Sequence, residues 1–271
     1  MTGAGPLDEA AVLLGPAARR DVPLGPLTTY RVGGPAALFL ELGSPDDVAA
    51  ARRAVSATGI PVLVVGKGSN LLVADRGFAG LALVLGPAFA TIELLGGARV
   101  RAGAAVSLPV LARRTAAAGL TGFEWAVGVP GSLGGAVRMN AGGHGSDMSR
   151  CVDRFRFVDL AGGPDGEAPA SRLDYGYRHS SLRPHQVVLG AELALEPGDR
   201  ARSEAVIADI VRWRREHQPG GQNAGSVFTN PPGDSAGRLI DAAGLKGLRR
   251  GSASVSLKHA NFFQADEGGS A

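Results

Sequence analysis

The sequence predicts a mixed α/β and α+β chain of three lobes. Three observations carry this reading. A strand, a helix and a second strand follow one another within about 30 residues, the pattern of a βαβ unit. The 271 residues exceed a typical single domain, and a 45% apolar content can fill more than one core. Two glycine-rich loops, Gly66-Lys-Gly-Ser-Asn70 and the long stretch over 129–145, fall far apart in the chain. The expected lobes are residues 1–86, 87–199 and 200–271.

Residues 1–27 are rich in Ala, Gly and Pro, with one short helix expected around 8–14. The opening Met1-Thr-Gly-Ala-Gly-Pro6 lacks a basic segment followed by an apolar core, so no secretory leader is expected. Thr28-Thr-Tyr-Arg-Val-Gly-Gly-Pro35 leads into a strand over 36–42. Ser44 then caps a helix with Pro45 at its first position and Asp46 and Asp47 in its first turn, and Gly59 ends it. The apolar run 60–65 reads as a strand that delivers Gly66–Asn70 to its C-terminal end, where α/β folds bind ligands.

The second lobe opens with strands over 91–94 and 99–102. A helix capped by Ser107 should turn Val110, Leu111 and Ala117 inward and stop at Gly119. The stretch 129–145 follows, then strands over 154–160 and 187–195. In the third lobe, a helix over 203–216 carries Val206, Ile207, Ile210, Val211 and Trp213 as a broad apolar face. A short strand over 226–230, a helix begun by Asp234 or Ser235 and ended by Gly244, and strands over 253–257 and 261–264 complete the reading.

The net charge of +3, aromatics at only 5% and the lack of a Lys/Arg tract interleaved with aromatics favour an anionic small molecule over nucleic acid. Cys151 is the one cysteine, so no internal disulfide can form; a reducing cytoplasm is expected, with Cys151 a small buried hydrophobe rather than a nucleophile. No apolar run approaches the ~18 residues of a membrane span, so no membrane insertion is expected. His144, His179, His185, His217 and His259 show no metal-ligand spacing, and no metal is expected.

Chemistry concentrates in a few segments. Residues 129–145 pack Gly131, Gly134, Gly135, Gly142, Gly143 and Gly145 around Val129, Leu133, Val137, Met139 and Asn140. Glycine allows backbone N–H groups to approach an anion closely, so this stretch is read as a phosphate cradle rather than a flexible linker. Gly66–Asn70 is no P-loop, because Gly68 rather than Ser or Thr follows Lys67, and no dinucleotide fingerprint, because Leu71 holds the third glycine position. The two loops together could hold opposite sides of one diphosphate. Arg178, among tyrosines and serines, suits either a solvated loop or a carboxylate or enolate oxygen. Ser226 is not in a G-x-S-x-G elbow, since Phe228 replaces the second glycine. Arg212, Arg214, Arg215 and His217 make either a solvated helix end or a basic rim for an anion.

Taken in order, Thr28–Gly34, Gly66–Asn70, Val129-Pro-Gly-Ser-Leu-Gly-Gly135, Met139-Asn-Ala-Gly142, Gly176-Tyr-Arg178, Asn223-Ala-Gly-Ser-Val-Phe-Thr-Asn-Pro231 and Ala243-Gly-Leu-Lys-Gly247 resemble the UDP-N-acetylenolpyruvoylglucosamine reductase family, flavoenzymes of peptidoglycan precursor synthesis. The resemblance implies FAD held between two lobes of the vanillyl-alcohol-oxidase (PCMH) type, with a smaller α+β lobe closing over substrate. NADPH would reduce the flavin, which would reduce UDP-N-acetylglucosamine enolpyruvate to UDP-N-acetylmuramate. Tyr30, Gly66, Lys67, Gly68, Ser69, Asn70, Pro130, Gly131, Ser132, Gly134, Gly135, Asn140, Ala141 and Gly142 would be cofactor contacts. Arg178 would stabilise the enolate and Ser226 donate the proton. His217, standing where a lysine is common, Asn230 and His259 would meet substrate. The lack of a tyrosine-bearing insertion after Arg178 matches the shorter type of this enzyme. The family's second acid, a glutamate in a C-terminal Pro-Glu-Val-Arg-like segment, has no counterpart; Glu267 is the one late glutamate, and the third lobe is expected to be incomplete, truncated before its last helix and strand. A cytoplasmic monomer is expected. Two alternatives stay open: an inactive FAD- or UDP-sugar-binding fragment, and another flavin oxidoreductase on the same scaffold.

Overall fold

The first sheet comprises β1 (Arg19–Pro23), β2 (Pro35–Leu42), β3 (Val62–Val64) and β4 (Phe78–Leu85), in the order β1-β2-β4-β3, in a computed structural model that describes residues 5–271. The expected absence of a leader falls largely on residues 1–4, outside the described residues. β2 and β3 both run parallel to β4, which lies between them. The βαβ unit is therefore present, but its helix α2 (Pro45–Thr58) crosses over a strand position that the chain fills later. β4 escapes a periodicity reading because its centre, Gly80–Leu83, is buried without alternation, as parallel strands covered on both faces are. α2 starts and stops as expected: the Ser44 hydroxyl accepts from the Asp47 N–H at 3.2 Å, and Gly59 turns left-handed at φ 65°. α1 (Pro6–Leu14) sits on α2, with Ala10 and Leu14 in the core that holds Leu38, Leu40, Ala51 and Val55.

β5 (Ile92–Leu95), β6 (Arg99–Gly103), β10 (Val152–Asp159), β11 (Gly166–Pro169) and β12 (Gln186–Ala194) form a second, wholly antiparallel sheet in the order β11-β10-β12-β6-β5. Its inner face, with Val100, Phe155 and Leu193, shares a core with α3 (Leu108–Ala117) and α4 (Leu133–Met139). Small ladders pair β7 (Leu120–Thr121) with β13 (Glu196–Pro197), and β8 (Gly142–Gly143) with β9 (Ser146–Asp147). On α3 the buried stripe is Leu108, Leu111, Ala112, Thr115 and Ala116. Val110 and Ala117, expected inward, face out, because the apolar spacing is counted from Leu108 and both fall outside its arc.

The helix expected to open the third lobe, α5 (Arg200–His217), packs on the second. Its Ile207 and Ile210 join the core containing Phe123 and Trp125. The Ser203 hydroxyl donates to Glu124, whose carboxylate also accepts from the Thr121 hydroxyl at 2.7 Å and the Gly122 N–H at 2.9 Å. Val206 and Trp213, expected on the apolar face, are 40% and 43% exposed. Beyond α5 lie α6 (Ala236–Ala242) and a three-stranded sheet of β14 (Arg249–Arg250), β15 (Ala253–Val255) and β16 (Phe263–Ala265). Residues 226–230 do not form the expected strand. Ser226 makes a single bridge to Phe262, and the Asn261 side chain takes the ladder partner's place, accepting from the Phe228 N–H at 2.9 Å and donating to its carbonyl at 2.8 Å. Among the described residues no helix is long and apolar enough to cross a membrane.

Candidate active site

A cleft separates the two sheets. One wall carries Val64, Gly66 and Lys67 at the end of β3; the other carries Ser132, Gly135 and Arg138 on α4. The walls approach so closely at Gly66 that a side-chain carbon there would lie 2.5 Å from the Ser132 hydroxyl oxygen. Gly66 and Lys67 open the turn 66–70 onto this space. None of the N–H groups of residues 66–70 donates to another protein group among the described residues. A run of unspent N–H groups beside a lysine is a seat for a phosphate oxygen. Gly68 shapes the turn: it stands at φ 62°, its carbonyl accepts from the Thr29 N–H at 3.2 Å, and a side-chain carbon would overlap the Leu27 carbonyl. Ser69 reaches across, its hydroxyl 3.6 Å from where a side chain at Gly131 would begin.

The stretch 129–145 builds the opposite wall. Several of its N–H groups are already paired: Gly131 donates to Val129 O, Leu133 to Val106 O and Gly134 to Ala104 O at 2.8–2.9 Å, and Gly135 to the Ser132 hydroxyl at 3.4 Å, while the Ser132 N–H has no partner among the described residues. These glycines permit close packing against residues 104–108, as at Gly134, where an added carbon would lie 2.8 Å from Ala104 Cβ. Residues 66–70 thus carry the longest run of unspent N–H groups beside the cleft, with 131–135 forming the facing wall. Pro130 is exposed beside that wall, and Ala141 packs into the second core. Sequence reasoning missed Arg138, which burial holds below the usual guanidinium range and which donates to Arg183 O at 2.9 Å. It forms no ion pair among the described residues, so its charge stands unbalanced at the cleft. Spacing could have found it, since Gly134, Gly135 and Arg138 share one helical face.

At the far end of α4 the chain turns at Asn140, left-handed at φ 42° and buried. Asn140, expected as a cofactor contact, spends its amide on the protein: Nδ2 donates to Gly176 O at 3.0 Å and Oδ1 accepts from the Ser149 N–H at 3.0 Å. Arg178 lies against the same turn. Its Nη1 donates to Asn140 O at 3.4 Å and its Nη2 to Gly142 O at 2.7 Å, while no carboxylate pairs with it among the described residues. His144, in the same β8–β9 hairpin as Gly142, meets Trp213 edge-on at 5.2 Å, and Trp213 stacks on His217 at 4.6 Å. His217 Nδ1 lies 2.7 Å from Trp213 O, which leaves Nε2 outward. Arg178, Gly142, His144, Trp213 and His217 thus form one continuous group.

Ser226 is exposed and fixed at its bridge to Phe262. His259 packs on Phe262 at 4.6 Å; its Nδ1 accepts from the Asn261 N–H at 3.2 Å, and burial lowers its pKa. Asn230 is turned toward α6, its Oδ1 accepting from the Ala236 N–H at 3.1 Å. Several contacts join this lobe to the rest: Asp75 of the first lobe donates its N–H to Ala271 O at 3.2 Å and accepts at Oδ1 from the Ala271 N–H at 2.9 Å. Tyr30, buried in the first lobe, has its phenol pKa raised by burial, with the Ala224 backbone at its hydroxyl acting in the opposite sense. Lys258 donates to Arg215 O near the end of α5. Cys151 plays no part: burial pushes its thiol up to about 12.

Two sheets facing each other across a cleft form an FAD-binding scaffold: an FAD binding domain family matches residues 36–166. The C-terminal domain of UDP-N-acetylenolpyruvoylglucosamine reductase matches residues 217–271. The reductase of that name from Heliobacterium modesticaldum is 45% identical over 249 residues, covering 89% of this chain and 77% of that protein. The one from Acidiphilium cryptum is 44% identical over 247 residues, 90% of this chain and 78% of that protein. The crystal structure of the Thermus caldophilus reductase superposes with a TM-score of 0.81 at 38% identity, covering 92% of this chain and 88% of that one. A berberine-bridge-enzyme-like protein of Physcomitrella patens shares the fold alone, with a TM-score of 0.51 at 16% identity over 69% of this chain and 44% of that one. The chain belongs to the UDP-N-acetylenolpyruvoylglucosamine reductase family.

Proposed function

We propose that the chain reduces UDP-N-acetylglucosamine enolpyruvate to UDP-N-acetylmuramate in the cytoplasm, as a monomer, with NADPH as electron donor and FAD as cofactor. The observation that carries this is the unspent backbone of residues 66–70 facing Ser132 and Arg138 across the cleft, with the unneutralised Arg178 just past the other end of α4. Gly66, Lys67, Gly68, Ser69 and Asn70 hold the FAD diphosphate from one side. Pro130, Gly131, Ser132, Gly134, Gly135, Ala141 and Gly142 shape the other side, Arg138 balances charge, and Tyr30 closes the end nearest Ala224. FAD, when bound, carries electrons from NADPH to the enolpyruvyl alkene.

Addition to one alkene carbon drives negative charge onto the substrate carboxylate as an enolate. Arg178 receives that charge with N–H groups its two backbone tethers leave free. Ser226 then delivers the proton to carbon from its exposed hydroxyl; an alcohol is a weak acid, but a carbon-centred enolate is basic enough to take its proton. His217 offers Nε2 to the substrate diphosphate, with Asn230 and His259 placed around α6 on the same lobe.

The test is NADPH oxidation that requires UDP-N-acetylglucosamine enolpyruvate, followed as two half-reactions. Ser226→Ala should leave flavin reduction by NADPH unchanged and slow reoxidation by substrate by about 10²–10⁴-fold. Equal losses in both half-reactions would remove the assignment. A yellow protein that binds the UDP-sugar without turning it over would favour a binding function.

A further inference from the structure

Arg178 sits in a tight turn, Gly176-Tyr-Arg-His179, closed by the His179 N–H donating to Gly176 O at 3.2 Å. Arg178 adopts φ 56° there, in the left-handed region that an arginine occupies only under constraint. Asn140 supplies part of that constraint, beside the Gly176 N–H that donates to His179 O at 3.1 Å and the Gly142 carbonyl that accepts from the guanidinium at 2.7 Å. The Asn140 amide donates to Gly176 O, the same oxygen that closes the turn, and the Asn140 carbonyl accepts from the Arg178 guanidinium. Asn140 therefore holds both the base of the turn and the tip of the side chain that projects from it. Asn140 is in turn fixed by the Ser149 N–H at its Oδ1, and its own φ of 42° is one that asparagine tolerates.

We propose that Asn140 is a positioning residue for Arg178, presetting the guanidinium to receive the substrate carboxylate; this rests on the reading of Arg178 given above. The tethers preorganise the side chain. A free arginine would lose rotamer freedom on gripping a carboxylate, whereas one already tethered at Asn140 O and Gly142 O has lost it beforehand. The tethers are to carbonyls, which orient the guanidinium without neutralising it.

A binding cycle that needs no turnover tests this. Calorimetry on the oxidised flavoprotein would compare UDP-N-acetylglucosamine enolpyruvate, which carries the carboxylate, with UDP-N-acetylglucosamine, which does not. Asn140→Gly keeps the left-handed backbone and removes the amide. It should weaken the carboxylate ligand about tenfold and leave the other unchanged. In an Arg178→Ala background it should cost nothing further, since the group it positions is gone. Independent losses that multiply, or equal losses for both ligands, would overturn the proposal and leave Asn140 a purely structural residue. Should Arg178→Ala bind the carboxylate ligand as well as wild type, the role of Arg178 itself fails, and that of Asn140 with it. If Asn140→Gly does not fold, Asn140→Asp, which retains the acceptor for Ser149, enters the same cycle with the same expected pattern.

Discussion

Gly66 and Gly68 lie two residues apart in one turn and do different things. A side-chain carbon at Gly68 would overlap the Leu27 carbonyl at a backbone φ of 62°. Neither the backbone of the first lobe nor the φ can yield cheaply, so Gly68→Ala should lose about 3 kcal/mol or more of stability, read from urea unfolding. Gly66 has no positive φ, and its added carbon would meet only the rotatable Ser132 hydroxyl at 2.5 Å. Gly66→Ala should fold with near-wild-type stability and lose FAD affinity, because it fills the gap between the walls; a flavin titration separates the two outcomes. That the turn matters was legible in the sequence from its glycines and its place after a strand. That its N–H groups stay unspent while those of Leu133 and Gly134 do not was not, since the latter pair with the Val106 and Ala104 carbonyls brought in by the fold.

α5 shows what periodicity tells about an element and what it leaves out. Its 3.6-residue spacing places a helix at the right residues, and its apolar side chains say it must bury a face. They do not say against which lobe. The answer lies in Ser203, a polar residue that is 2% exposed and donates to Glu124 of the second lobe. Burial alone would raise the Glu124 pKa, but hydrogen bonds from Ser203, Thr121 and Gly122 outweigh it and hold the carboxyl below its ordinary value. A carboxylate with a folded-state pKa lowered below the unfolded one stabilises the fold above the unfolded value and loses that contribution as pH falls through the folded one. The pinning of α5 should therefore weaken below about pH 4.5. Glu124→Gln should cost about 1 kcal/mol at pH 7 and flatten the acid limb of a plot of Tm against pH. An unchanged acid limb would show that this carboxylate does not hold the helix. β4 was illegible for the opposite reason to α5: a strand covered on both faces has no alternation to read.

At the scale of the whole molecule, the cleft between the two sheets is where the chain is least complete. Each sheet has its own apolar core, and one core already reaches across, with Val158, Leu160 and Val187 of the second sheet packed beside Leu38 and Leu83 of the first. The cleft walls above this contact meet mainly through Gly66 and Ser132, and the charges of Lys67 and Arg138 face it unbalanced. A diphosphate-bearing ligand would supply acceptors to the 66–70 backbone and negative charge to both walls at once. FAD should therefore stabilise the two lobes together rather than one of them. With FAD at 100 times its Kd the linkage is worth about 2.7 kcal/mol, which for a chain of this size raises Tm by about 5–10 °C in a single cooperative transition. Thermal unfolding of the apoprotein with and without FAD measures this independently of catalysis. Riboflavin, which lacks the phosphates, should give a much smaller shift at the same concentration, because the free N–H groups of 66–70 then keep no partner. An equal shift with riboflavin would mean that the flavin ring alone does the binding, and a transition that splits in two on adding FAD would mean that the ligand holds a single lobe.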